Sequence, residues 1–308
     1  MACTMKVAAV VVTYNREELL QNTLDCLDAQ TYAPACVEII DNASTDATQE
    51  SLRARKHKLP TKVYRLAENF GGAGGFFYGM NAAYADGYDA FWLMDDDTAP
   101  RPDALEKLVD TMEDAAAHRG EMPSFASSQV LWTDGNACLM NYPTARWEWP
   151  QNIAAGTSWI DLDCASFVSC LVTREAVEQC GLPYPEYFIW FDDAEYTYRL
   201  AKWRSGIYVP ASIADHLTPE NKGVFWGEVS DSNFWKYSKG ARNQVSAGIS
   251  LRKPRILTDI AFGLFQGLRH SDAPWKLRLK LAGAAASGIF HQPKVRYPGE
   301  VKVGSPQR

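Results

Sequence analysis

The chain has 308 residues, 46% of them apolar and 22% charged, which supports a large buried core and excludes a disordered protein. Its net charge of −6 is unevenly spread: from Lys236 to Arg308 there are 14 Lys and Arg against 3 acids, leaving 17 basic and 34 acidic residues in the first 235. A basic tail behind an acidic body implies an anionic partner, either a nucleic acid or a membrane surface.

In chain order, Val7 to Thr13 is an apolar run of strand length, followed by Leu19, Leu20, Thr23, Leu24 and Leu27 at helical spacing. Val37 to Ile40 forms a second strand and ends in Asp41-Asn42-Ala43-Ser44-Thr45-Asp46, where Ser44 or Thr45 is expected to cap a helix running to about Arg55. Lys62 to Leu66 is a more polar third strand, expected near a sheet edge. Asn69 to Phe76 (NFGGAGGF) packs four glycines into five residues. It reads either as a turn that brings backbone N–H groups to a ligand or as a plain flexible turn. Phe91 to Met94 is the fourth strand. Strands separated by helix-length intervals predict βα repeats and a mostly parallel sheet flanked by helices.

That fourth strand drives into Asp95-Asp96-Asp97. A strand buried on both faces cannot continue into adjacent carboxylates, so the acids must emerge at its C-terminal end, where open α/β sheets bind ligands. Three neighbouring carboxylates repel, and a shared Mg2+ or Mn2+, itself suited to a diphosphate, relieves that repulsion. The alternative is a solvated acidic turn ahead of the helix that Pro100 and Pro102 introduce.

Regularity fades from Glu121 to Asn152, where Trp132, Trp147 and Trp149 suit either core packing or an acceptor platform over the sheet. Ala165 to Val172 (ASFVSCLV) is expected to return as a strand. In WFDDAEYTYRL (190 to 200), Asp192 and Glu195 have the spacing of an Asp-headed capping box. Asp193 then falls in the first helical turn, where the positive helix end favours a carboxylate fit to act as a general base. Ile207 to Pro210 is a short strand ahead of His216. A lone histidine is more often a structural hydrogen-bonder, but this one could complete an Asp/Asp/His metal set.

Two helix-like stretches follow, Ile256 to Leu268 and Trp275 to Ala282, each with an apolar stripe. Basic neighbours of the second make attachment to anionic lipid a reading beside core packing. The residues after His291 read as an extended or disordered tail. Seven scattered cysteines, among them Cys3, include no C-x-x-C pair; a zinc site and a disulfide framework are not expected, and a reducing compartment is. No signal peptide is recognisable, and no run approaches the roughly 20 apolar residues of a spanning helix. A cytoplasmic protein, peripheral at the inner face of the cell membrane, is the expectation.

Taken together, VVVTYNR (10 to 16), IIDNASTDAT (39 to 48), NFGGAGGF, WLMDDD (92 to 97), WFDDAEYTYRL and the histidine after YVPASIAD resemble, in order, the motifs of the family 2 glycosyltransferases. These have the GT-A nucleotide-sugar-binding fold. Within the family the chain looks most like bacterial galactofuranosyltransferases and the neighbouring rhamnosyltransferases. The resemblance implies a catalytic domain over 1–233, with a nucleotide-binding half (1–98) and an acceptor-binding half (99–233), then a basic helical region (234–292) and a tail (293–308). It implies that Thr13, Tyr14, Arg16, Asp41 and Asn42 hold the nucleotide, and that Asn69, Gly74 and Gly75 lie against the diphosphate and sugar. By the same resemblance Asp95, Asp97 and His216 hold a divalent metal (Mn2+ or Mg2+), Asp95 and Asp96 contact the donor, Asp193 is the base, and Asp192, Glu195 and Trp190 shape the acceptor pocket.

The implied activity is inverting transfer of galactofuranose from UDP-galactofuranose to a lipid-linked or cell-surface glycan, such as a polyprenyl-linked one, with dTDP-rhamnose as the alternative donor. A sugar nucleotidyltransferase would need a basic glycine-rich loop after the first strand, where this chain has Thr13-Tyr14-Asn15-Arg16-Glu17. A non-catalytic glycan-binding module on the same fold would have no use for Asp193 beside an acidic triplet. The basic tail carries no nucleic-acid-binding motif, so a membrane is the expected anionic partner and a nucleic acid is not.

Overall fold

The computed structural model describes residues 5–300; Cys3 and the last eight residues of the expected tail lie outside them. β1 (Val7–Thr13) is buried along its whole length. α1 (Glu17–Asp28) follows and buries Leu20, Thr23, Leu24 and Leu27. β2 (Cys36–Asp41), α2 (Thr48–Ala54), β3 (Thr61–Arg65), α3 (Gly71–Ala85) and β4 (Ala90–Asp95) complete the βα repeats. The second half contributes β5 (Thr98–Pro100), α4 (Ala104–Arg119), β6 (Phe125–Trp132), β7 (Thr144–Ala145), α5 (Trp149–Ala155), β8 (Ile160–Cys164), β9 (Cys170–Thr173), α6 (Arg174–Cys180), α7 (Asp192–Trp203) and β10 (Gly206–His216). Three helices close the described chain: α8 (Phe234–Ser250), α9 (Pro254–Arg269) and α10 (Trp275–Ser287).

The strands form one sheet in the order β3-β2-β1-β4-β9-β6-β10-β8-β7, with β5 pairing to β10. β3, β2, β1 and β4 run parallel, and β3 lies at the edge, as its polar sequence predicts. β9 is antiparallel to both β4 and β6, so β6 and β10 run the same way as the first four strands. Alternation along β1 divides two cores. Val10 and Val12 face the side covered by α3 and α7, and Ala9 and Val11 face α1 and α4.

Several local expectations change in the folded chain. The glycine-rich stretch is the first turn of α3, because its glycines let the helix lie directly on the sheet. A Cβ on Gly75 would sit 2.4 Å from Val12 Cγ1, and one on Gly79 2.4 Å from Val10 Cγ1. Neither Ser44 nor Thr45 caps α2: Ser44 Oγ accepts from Asn15 N at 3.0 Å, and Asp46 Oδ1 accepts from Thr48 N at 3.1 Å. The segment after Glu121 holds the sheet strand β6, whereas of ASFVSCLV only residues 170–172 lie in a strand, β9. Ser169 bends the chain with φ +57° and takes the Trp92 indole N–H on its hydroxyl at 3.0 Å.

The basic C-terminal region is packed against the rest of the molecule. Tyr184 and Tyr187 share a core cluster with Ala247 of α8, Leu251 of the connection and Ile256 of α9. Residues 291–300 lie without regular structure across α3 and the 182–187 segment. Leu182 N donates to Arg296 O at 2.8 Å, and Arg296 pairs with Glu186.

Glu38 of β2 is fully buried, and neither carboxylate oxygen is hydrogen-bonded. Burial, reinforced by nearby Asp86 and opposed by Lys62, pushes its carboxyl up to about 9. The folded chain therefore holds a proton that the unfolded chain releases near its ordinary value of 4.5, and stability falls as pH rises between those values. Compared with Glu38→Gln by urea unfolding, the wild type should lose up to about 1.4 kcal/mol per pH unit over that window. Parallel pH profiles would refute a neutral buried Glu38.

Candidate active site

The parallel register brings Thr13 of β1 opposite Asp41 of β2, and Val12 opposite Asp95 at the end of β4. β10 ends nearby at His216, paired with Thr98 of β5. These strand ends open into a cavity of about 810 Å3, which also receives the first turn of α7.

Asp96 is a hub of the local structure. It accepts from Thr13 Oγ1 at 2.8 Å, Tyr14 N at 3.3 Å and Arg16 Nη1 at 3.2 Å. Burial raises its carboxyl to about 6 even though Arg16 and the other donors pull it down. The same Arg16 nitrogen reaches Asp97 Oδ2 at 2.6 Å. Asp97 is buried, but His216 and Arg16 more than offset burial and hold its carboxyl below the ordinary value. Asp95 rises well above that value through burial and the charges of Asp97, Asp96 and Asp192, with Arg16 opposing. Arg16, expected on the nucleotide, thus lies against the acidic triplet and compensates its charge.

His216 and Asp97 meet, while among the described residues no three His, Cys, Asp or Glu side chains stand together as a ready metal cage. The expected Asp95, Asp97 and His216 set is therefore incomplete as a cage. The donor chemistry nonetheless fits a divalent cation. His216 Nδ1 lies 2.8 Å from Asn141 Oδ1, an acceptor because Asn141 Nδ2 donates to Ser166 Oγ at 2.9 Å. Nδ1 therefore carries a proton, and Nε2 faces Asp97 Oδ1 at 3.2 Å. That oxygen is buried without a hydrogen bond. An imidazole nitrogen and a carboxylate oxygen at this separation share a cation, either a proton on Nε2 or a metal ion held with further oxygen ligands.

On the opposite wall, α7 begins directly after Phe191, which has the left-handed φ of +68°. Phe191 takes the N-cap position, so Asp192 and Asp193 both fall in the first turn. Burial and the adjacent Asp193 raise Asp192 to about 7; burial raises Asp193 to about 6 against the N–H of Ala194, which donates to its Oδ1 at 2.6 Å. Both line the cavity, as does Trp190, whose ring packs edge-on to Tyr237 with centroids 5.0 Å apart.

Glu195, expected in the acceptor pocket, does not line the cavity. Two helical positions beyond Asp193 it points about 200° away, and its buried carboxylate accepts from Arg199 Nε and Nη2 at 3.0 Å each. The expected capping box is absent because Arg199 occupies that carboxylate.

On the nucleotide side, Tyr14, Asn42 and Asn69 line the cavity. Asn42 bonds both Phe70 N (3.3 Å) and Gly71 O (3.1 Å), and Asn69 Oδ1 accepts from Gly71 N at 2.7 Å. Asp41 lies behind this wall, fully buried, shaping the turn after β2 by accepting from Ser44 N at 2.8 Å and from Gln49. Gly74 and Gly75 are also buried and pack on Phe70 and Val12, while Gly71 and Gly72 face the cavity. Asn141, which orients His216, gave no signal in the sequence because it lies in the irregular middle segment.

With this geometry in hand, comparisons identify its relatives. Residues 8–133 match the family described as Glycosyl transferase family 2. The chain is 39% identical over 100 residues to galactofuranosyltransferase GlfT1 of Mycolicibacterium smegmatis, covering 32% of each protein. It is 23% identical over 282 residues to galactofuranosyltransferase GlfT2 of Mycobacterium tuberculosis, covering 79% of this chain and 41% of that one. The matched stretch thus spans about a third of GlfT1 and under half of GlfT2. Among solved structures, S. aureus TarS 1-349 in complex with UDP-GlcNAc superimposes with a TM-score of 0.58 at 15% identity, over 94% of this chain and 82% of that one. GalNAc-T7 with UDP, GalNAc and Mn2+ gives 0.58 at 16%, over 80% and 48%. The fold is the GT-A fold expected from the sequence.

The Thr13 hydroxyl bonds the Asp96 carboxylate, ionised above about 6, more strongly than it bonds the protonated carboxyl. Thr13→Val should therefore cost about 1–3 kcal/mol of unfolding free energy near pH 8 and little near pH 5, measured by chemical denaturation. An equal cost at both pH values would mean that the hydroxyl serves packing alone.

Proposed function

We propose, from the glycosyltransferase family 2 domain that residues 8–133 form, that the chain is an inverting, metal-dependent transferase. In this reading it moves galactofuranose from UDP-galactofuranose to a lipid-linked or cell-surface glycan. One observation carries the reading: Asp193, pushed up to about 6, lines the same cavity as Asp95, Asp96 and Asp97. A donor diphosphate at the triplet and an acceptor hydroxyl at Asp193 would then meet in one cavity. The names of the galactofuranosyltransferase relatives support the donor sugar.

Tyr14, Asn42 and Asn69 would receive the nucleotide, with Asp95 and Asp96 toward the diphosphate and sugar. Asp97 and His216, with Asp95, would hold the divalent cation, which when bound neutralises charge on the diphosphate. Arg16, already against the triplet, would add positive charge beside the leaving group. Asp193 would take the proton from the acceptor hydroxyl as that oxygen attacks the anomeric carbon from the face opposite the nucleotide, so one displacement inverts the centre. Trp190 and Asp192 would orient the acceptor sugar. A base near 6 is ionised at neutral pH yet basic enough to accept a proton in the transition state.

The enzyme would work at the inner face of the cell membrane. Phe262 and Phe265 of α9, Trp275 and Leu279 of α10, and Phe290 beyond it are exposed, with Arg269, Lys276 and Lys280 nearby. Exposed apolar rings among cations complement an anionic lipid surface. No helix among the described residues is long and apolar enough to cross a membrane.

Nucleotide release should occur from UDP-galactofuranose, but not from UDP-galactopyranose or UDP-glucose, in the presence of Mn2+ and stop with a chelator. Release from dTDP-rhamnose alone would reassign the donor. Asp193→Asn should lower transfer about 100- to 10,000-fold and remove the low-pH limb expected near pH 6 in the wild type. Retention of wild-type turnover in that variant would sink the assignment of the base. Phe262→Ser combined with Trp275→Ser should weaken co-sedimentation with phosphatidylserine vesicles, and added salt should weaken it further; undiminished pelleting would place the membrane contact elsewhere.

A further inference from the structure

Asn243, in the middle of α8 and far along the chain from Asp193, is fully buried. Its Nδ2 lies 2.8 Å from Tyr187 O, 3.1 Å from Ile189 O and 2.9 Å from Trp190 O. The neighbouring Arg242 donates Nε and Nη2 to Asn243 Oδ1 at 3.1 and 2.9 Å and also reaches Glu186 O at 2.9 Å. A guanidinium only donates and carbonyls only accept, so this network admits one orientation of the amide.

The carbonyls it gathers belong to an unusual stretch of backbone. Phe188, Trp190 and Phe191 have φ of +67°, +65° and +68°, and α7 with Asp192 and Asp193 starts at the next residue. Non-glycine residues held in that region cost about 1–3 kcal/mol each and persist only where the surroundings impose them. Two glycines complete the grip from either side. A Cβ on Gly71 would lie 2.0 Å from Phe188 O, and one on Gly240 of α8 2.6 Å from Trp190 Cε3. The strained turn is thus pressed between α3 and α8 and tied by one amide.

We propose that Asn243 is a positioning residue for the transfer reaction: by collecting the carbonyls of 187, 189 and 190 it sets the start of α7 and hence where Asp193 and Trp190 stand in the cavity. It does not line the cavity, so it acts through the main chain. The inference rests on the proposed role of Asp193. It makes α8, part of the basic C-terminal region, a component of the acceptor side of the site, so removing that region would dismantle the site along with any membrane contact.

The test uses the full chain and hydrogen–deuterium exchange. Asn243→Ala should speed amide exchange across 187–193 at least about tenfold while peptides from β1 and β4 exchange as in wild type. In an active enzyme the same variant should keep UDP affinity within about twofold, lose transfer kcat on the order of 100-fold, and shift its low-pH limb toward an ordinary carboxylate as water reaches Asp193. A merely structural role would reduce the amount of folded enzyme and leave that limb in place. Should Asn243→Ala fail to fold, Arg242→Lys, which loosens the orientation of the amide and the tie to Glu186 O while leaving Asn243 in place, should give smaller changes in the same direction. Unchanged exchange at 187–193, or full kcat with an unshifted pH profile in a folded variant, overturns the inference. Absence of wild-type transfer with every donor would instead strike the proposed function, leaving exchange to decide whether Asn243 holds the turn.

Discussion

Three carboxylates at the end of one buried strand are the constraint around which this protein is arranged. β4 cannot carry Asp95, Asp96 and Asp97 into the core, so the chain leaves the sheet there and the surroundings compensate the charge one side chain at a time. Thr13, the Tyr14 N–H and Arg16 satisfy Asp96; Arg16 and His216 meet Asp97; Asp95 is left to the cavity. Arg16 cannot neutralise three carboxylates. In the proposed function the remaining negative charge would make this strand end a place for a cation and a diphosphate, where an uncharged strand end would be an ordinary turn.

The second constraint is conformational. The opposite wall depends on a turn in left-handed backbone, supported by an amide from α8 and by the close approach of Gly71 and Gly240. The two walls are therefore stabilised by different means, charge compensation on one side and imposed backbone geometry on the other. This division follows from what each wall meets. In the proposed function the donor side would face phosphates and cations, for which fixed charges suffice, whereas the acceptor side would hold a weakly polar hydroxyl in line and gain from a rigid main chain.

The C-terminal helices join these walls to the outside. α8 touches the strained turn on one face and packs with α9 and α10 on another, and those two helices present exposed aromatic rings beside lysines and arginines. Surface and site are thus parts of one packed body, and the basic composition of the tail describes only its outer side.

Much of the first half was legible from the sequence because its signals are local. A run such as VAAVVVT can be buried on both faces only as a central strand, and a polar run such as Lys62 to Leu66 is tolerated at an edge. The acidic triplet, Asp193 and His216 were likewise visible, since each ends or begins an apolar element. What tertiary structure decided was which side chains face one another. Glu195 lies off the cavity because helical rotation gave it to Arg199, and Asp41, Gly74 and Gly75 stand behind the cavity wall. Arg16 against Asp97, Asn141 behind His216 and Asn243 under the strained turn join residues distant in the chain, and no periodicity or spacing encodes such pairs. Sequence by itself determined where the first four strands end and which chemistry gathers at their ends, since burial and charge act residue by residue; β10, expected to stop at Pro210, runs on to His216. The pairing of those groups waited on the fold, because hydrogen bonds and ion pairs depend on distances that only the packed chain defines.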